Sequence, residues 1–115
     1  MGDHRKSHRP ILIASLEITL PDGGEKVDGF CLDLSSRGMR IYIPKSLSPE
    51  KCITLKMTFQ ATGGEEVNET LTAMVKWCKP ESGMYASGIE FVDINPQKNL
   101  EFLRFLTRIR AQSRF

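Results

Sequence analysis

Histidine is nearly missing from this chain: there are two, His4 and His8, and both precede the first strand-like segment. No imidazole is left along the body of the chain to act as a general base, and no paired acids sit in a recognisable catalytic setting, so an enzyme is not expected. Cysteine is scarce and scattered. Cys31, Cys52 and Cys78 are odd in number, form no C-x-x-C pair and lack a histidine neighbour in the sequence. Reduced thiols are therefore expected rather than a zinc site or disulfides. No apolar run approaches the roughly 20 residues of a membrane helix. Residues 1–9 are polar, without the apolar segment of a secretory signal. These absences favour a cytoplasmic protein with no membrane insertion. No internal repeat or low-complexity tract occurs, and 115 residues suit one domain whose single core needs no covalent staples.

Strong net charge is also lacking, at +2, but the charge is unevenly placed. Arg5, Lys6 and Arg9 stand against Asp3 at the start, and Arg104, Arg108, Arg110 and Arg114 follow the last acid, Glu101. Two basic ends on a near-neutral body suit a local anionic partner better than a stripe along a duplex.

What is abundant is alternation of period two, the mark of half-buried strands. Residues 11–20 place Leu16, Ile18 and Leu20 on one face. Residues 25–34 place Phe30, Leu32 and Leu34 inward, with Cys31, Asp33 and Ser35 on the opposite face. After Gly38, a third strand turns Met39, Ile41 and Ile43 inward and Arg40 and Tyr42 outward. Residues 52–60 bury Ile53, Leu55, Met57 and Phe59. Residues 67–79 bury Leu71, Ala73, Val75 and Trp77, and residues 84–92 bring in Tyr85, Ile89 and Phe91. Trp77 and Tyr85 are thus read as core. Turn chemistry separates these runs at Pro21-Asp22-Gly23-Gly24, Ala61-Thr62-Gly63-Gly64 and Pro80-Glu81-Ser82-Gly83.

The period then changes. Asn95-Pro96 predicts a helix start, asparagine as cap and proline in the first turn. Leu100, Leu103, Leu106 and Ile109 recur at helical spacing, flanked by Phe102 and Phe105. Six strands and one helix point to an all-β domain, a small antiparallel barrel or rolled sheet with a C-terminal α-helix. The expected organisation is a basic leader at 1–10, a barrel at 11–93 and a helix of the same domain at 95–111. A monomer is the default for one small closed barrel.

Two strings carry chemistry. Arg5-Lys6-Ser7-His8-Arg9 sets two arginines four apart, and each guanidinium is a planar fork that matches phosphate oxygens and stacks on flat bases. Asp33-Leu34-Ser35-Ser36-Arg37-Gly38 sets a carboxylate and a hydroxyl on one strand face, away from the core. A carboxylate there can accept from both N1–H and the exocyclic amine of guanine, a paired donor edge that adenine lacks. Gly38 leaves the backbone free to turn closely. Taken singly, the first string is also an ordinary solvated leader and the second an ordinary Asx or Ser turn.

In this order the strings resemble the PilZ domain signature, R-x-x-x-R followed by [D/N]-x-S-x-x-G, with Arg5 to Arg9 and Asp33 to Gly38 in the matching places. The stretches Val75-Lys76-Trp77 and Tyr85-Ala86-Ser87-Gly88-Ile89-Glu90-Phe91 are similar to the family's late strands, and the resemblance covers nearly the whole chain. It implies a six-stranded PilZ-like barrel and a bacterial receptor for the second messenger cyclic di-GMP, with no other cofactor and no metal. It assigns ligand binding to Arg5, Arg9, Asp33, Ser35 and Gly38, with Lys6, His8 and Arg37 as auxiliary charges. A separate effector protein is the implied partner, and motility, attachment or biofilm regulation the implied output. His4 stands where a further arginine is frequent in the family, which leaves the number of bound ligands open.

Two other classes remain for comparison. An adaptor that needs no nucleotide would use Arg104, Arg108 and Arg110 with the outer sides of Phe102 or Phe105. A nucleic-acid binder would need aromatics on the outer strand faces. The alternation places Phe30, Phe59, Trp77, Tyr85 and Phe91 inward and only Tyr42 outward, so nucleic acid is not an expected partner.

Overall fold

The computed structural model describes residues 14–21 and 24–112. These form six strands and one helix: β1 (Ala14–Thr19), β2 (Lys26–Leu34), β3 (Gly38–Ile43), β4 (Cys52–Gln60), β5 (Glu66–Glu81), β6 (Met84–Val92) and α1 (Leu100–Gln112). Every strand pair is antiparallel, and the sheet closes on itself in the order β1-β2-β3-β6-β5-β4. Closure gives every described strand two neighbours, which removes the two open edges that a flat sheet would present.

Alternation explains the core. Leu16 and Ile18 of β1, Met39, Ile41 and Ile43 of β3, Ile53, Leu55, Met57 and Phe59 of β4, and Leu71, Ala73 and Val75 of β5 are all buried. The β5–β6 hairpin turns on Ser82 and Gly83, both at positive φ (52° and 82°). That is the two-residue turn whose twist suits antiparallel strands, and glycine adopts it without strain.

Two strands depart from simple alternation. On β2, Cys31 pairs with Ile41 and Asp33 with Arg40, so Leu32 is an extra residue in a β-bulge. Before the bulge Gly29 and Cys31 face the core; after it Leu34 does. Phe30 is 41% exposed and Cys31 fully buried, the reverse of the alternation extrapolated back from Leu34, while Leu32 is half-buried. Burial pushes the Cys31 thiol up to about 12, which keeps it protonated and unreactive at neutral pH. On β5, Val75 pairs with Ile89 and Trp77 with Gly88, leaving Lys76 as the extra residue. Trp77 is thereby turned outward and is 40% exposed, not core. At this bulge the Trp77 carbonyl accepts a hydrogen bond from the fully buried Ser87 hydroxyl at 2.8 Å. With Phe30 and Trp77 outside, the outer wall is richer in aromatics than the alternation predicts.

The helix also starts later than its proline suggests. Asn95 does cap, but it caps a single turn: its side-chain oxygen accepts from the Gln97 amide at 2.8 Å. The helix proper begins at Leu100, and its first amides are met from outside the helix. The Glu69 carboxylate of β5 accepts from the amides of Glu101 (3.1 Å) and Phe102 (3.2 Å). The buried stripe is Phe102, Phe105 and Leu106, with Leu103 and Ile109 partly buried and Leu100 46% exposed. Phe102 packs edge-on against Phe59 and Phe91, and Phe105 lies 4.7 Å from Phe59 between centroids. Both phenylalanines are thus spent on holding α1 to the barrel, and neither offers an outer side to an adaptor partner. No helix among the described residues is long and apolar enough to cross a membrane.

Glu69→Ala should lower stability by about 1–2 kcal/mol in urea unfolding, because two helix amides and the N-terminal dipole lose their acceptor. An unchanged midpoint would show that water caps α1 equally well.

Candidate functional site

Both bulges lie on one cross-strand row. Asp33 of β2 pairs with Arg40 of β3, Arg40 with Gly88 of β6, and Gly88 with Trp77 of β5. Without the β2 bulge, Asp33 would continue the inward series of Gly29 and Cys31. Without the β5 bulge, Trp77 would continue that of Leu71, Ala73 and Val75. Each bulge moves one residue from the core side to the outer wall, which is a common use of bulges near binding sites. The backbones of Asp33 and Trp77 are three strand spacings apart, about 14 Å.

This row floors an open cleft of about 420 Å³, lined among others by Asp33, Ser35, Arg37, Gly38, Arg40 and Trp77. Gly88 makes the floor flat. A Cβ there would overlap the indole nitrogen of Trp77, so the ring rests on Gly88 of β6. Lys79 approaches the same indole at 5.6 Å from its centroid, a cation–π contact that holds the ring at the wall. On the far rim Lys76 pairs with Glu90 at 3.8 Å.

The Asp33-to-Gly38 string behaves as a turn with one free carboxylate. The Ser35 hydroxyl donates to the Gly38 carbonyl at 3.2 Å and accepts from the amides of Arg37 and Gly38 at 3.3 Å each. The Ser35 amide donates to the same carbonyl at 2.9 Å. Serine therefore shapes the β2–β3 connection at the cleft edge. Gly38 is required by proximity: a Cβ would overlap the carbonyl of Ile89 on β6. The Arg37 carbonyl accepts from the Phe91 amide at 2.8 Å, which ties the turn to β6. Asp33 itself is exposed and belongs to none of the ion pairs among the described residues.

The structure thus brings Asp33, Ser35, Arg37 and Gly38 to one cleft. Arg5, Lys6, His8 and Arg9 lie outside the described residues. Trp77 and Arg40 join the site although sequence reasoning placed the first in the core and gave the second no role. The available signal was the pair Lys76-Trp77, a charge beside an aromatic where alternation demands one inward residue, opposite a glycine on the next strand. Among the described residues, no His, Cys, Asp and Glu side chains gather in threes as a metal site would need.

The closed barrel carries a carboxylate, a guanidinium and an indole in line on its outer wall, beside one open cleft. The PilZ domain family model matches residues 3–108, and the chain belongs to that family. Its members are known for binding cyclic di-GMP and serve as binding and adaptor domains. No curated protein matches the chain.

Gly88→Ala should displace the indole from β6 and shift the emission of this single tryptophan to the red in the free protein. An unchanged spectrum would mean that the ring does not rest on Gly88.

Proposed function

We propose that this chain is a cyclic di-GMP receptor that clamps the ligand between its basic leader and the Asp33–Trp77 row, then passes the signal to a separate protein partner. The observation that carries the reading is the outward pair formed by the two bulges: a carboxylate suited to a guanine edge and an indole suited to a base face, one at each end of one cleft. A guanine at one end finds the unpaired Asp33 carboxylate. A guanine at the other finds Trp77, and base–aromatic stacking contributes about 1–3 kcal/mol. Ser35 and Gly38 keep the turn low enough for the ligand to approach.

Chain geometry supports the leader's role. Ala14, the first described residue of β1, pairs with Cys31, two positions before Asp33. Because β1 and β2 are antiparallel, the start of β1 lies beside the Asp33 end of β2. Five residues reach at most about 17 Å, so the length of chain between Ala14 and Arg9 is enough for the proposed contact. Arg5 and Arg9 close over the phosphodiesters and bases, with Lys6, His8 and Arg37 adding positive charge at the rim. The output is a covered cleft and an ordered leader that the partner reads. Cyclic di-GMP is the ligand and no further cofactor takes part.

Titration of the purified chain with cyclic di-GMP should quench or shift the Trp77 emission and give a saturable calorimetric signal. Arg9→Ala or Arg5→Ala should cost roughly 2–3 kcal/mol, about 30- to 150-fold in affinity, without moving the melting curve of the free protein. Asp33→Ala should narrow the preference for the guanine over the adenine cyclic dinucleotide. Equal losses for both ligands would remove the guanine-edge role, and no binding by wild type at millimolar ligand would remove the function.

A further inference from the structure

We infer that Arg40 is a phosphate-contacting residue of this cleft, a cation fixed on the barrel wall that meets the ligand's diester ring from beneath. The inference rests on the ligand reading above. Arg40 lies inside β3, paired with Asp33 on one side and Gly88 on the other. Its backbone is therefore held by two strands, unlike that of a residue on a loop. The glycine beside it offers no side chain, and the indole that covers Gly88 comes from the next strand. Arg40 thus stands between Asp33 and Trp77 and lines the same cleft.

Its charge is uncommitted. The ion pairs among the described residues are Lys45–Glu25, Lys76–Glu50, Lys76–Glu90 and Arg104–Glu101. Arg40 is in none of them, although Asp33 is its cross-strand neighbour. The order along the row is carboxylate, guanidinium, indole. The order along a cyclic dinucleotide is base, phosphodiester ring, base. A ligand that engages Asp33 with one base and Trp77 with the other lays its anionic middle over Arg40. The guanidinium fork then donates to phosphate oxygens in a geometry that a lysine cannot reproduce.

The test is calorimetric titration of the full chain with cyclic di-GMP at low and high sodium chloride. Arg40→Ala should bind about 10- to 100-fold more weakly at low salt. That deficit should shrink at high salt, because a charge contact is screened and a packing contact is not. Arg40→Gln, which keeps the stem and loses the charge, should behave alike and serves if the alanine variant folds poorly. Lys56→Ala, which removes one charge from β4 outside the cleft, should bind within about twofold of wild type. The inference is overturned if Arg40→Ala and Arg40→Gln bind like wild type, if their deficit is the same at both salt concentrations, or if Lys56→Ala loses as much. A wild type that binds while the Arg40 variants equal it sinks this role alone. A wild type that does not bind sinks the ligand reading beneath it.

Discussion

Two extra residues, Leu32 on β2 and Lys76 on β5, govern the outer wall of this barrel. A strand in a closed barrel has one face in the core and one outside, and every side chain belongs to one or the other. A bulge is the local means of changing that assignment without breaking the sheet. Here the two bulges lie at opposite ends of one row, and each transfers to the outside a residue that the uninterrupted strand would bury. Asp33 unpaired in an apolar core would be costly. Trp77 would compete for space with a core already filled by Val75, Ile89 and the inward face of β3. The bulges remove both conflicts and assemble the cleft in the same step.

The rest of the fold supports that arrangement. Ser87, fully buried, donates its hydroxyl to the Trp77 carbonyl at the β5 bulge. Gly38 and Gly88 let β6 approach the β2–β3 turn and the indole without side-chain obstruction. α1 fastens onto the aromatic cluster of Phe59, Phe91, Phe102 and Phe105, at a place set by Glu69 of β5 rather than by its own first residues. The helix contributes to the core and leaves the cleft wall to the strands.

Much of this was legible beforehand. β4 follows its alternation without interruption, as do β1 and β3, and the Asp33-to-Gly38 string was recognisable as a strand-end motif. Two of the misreadings share one cause. Phe30-Cys31-Leu32 is an apolar run with no phase of its own, so its facing was extrapolated from Leu34 across a bulge that one strand alone does not announce. Trp77 was carried inward by the phase of Leu71, Ala73 and Val75 for the same reason. The helix start was misplaced because Asn95-Pro96 has the chemistry of a cap and does cap a turn. The acceptor for α1 lies some thirty residues away, at Glu69.

The amino-acid order by itself determined the class of the fold, the number of strands and the presence of the two candidate strings, because period-two alternation, turn residues and short motifs are local properties of a chain. Only the tertiary structure decided which residues stand together on the wall. The outward facing of Trp77, the flat floor at Gly88 and the place of Arg40 between Asp33 and Trp77 depend on register across four strands. Register is set by how neighbouring strands pair, and a single strand read alone does not contain it.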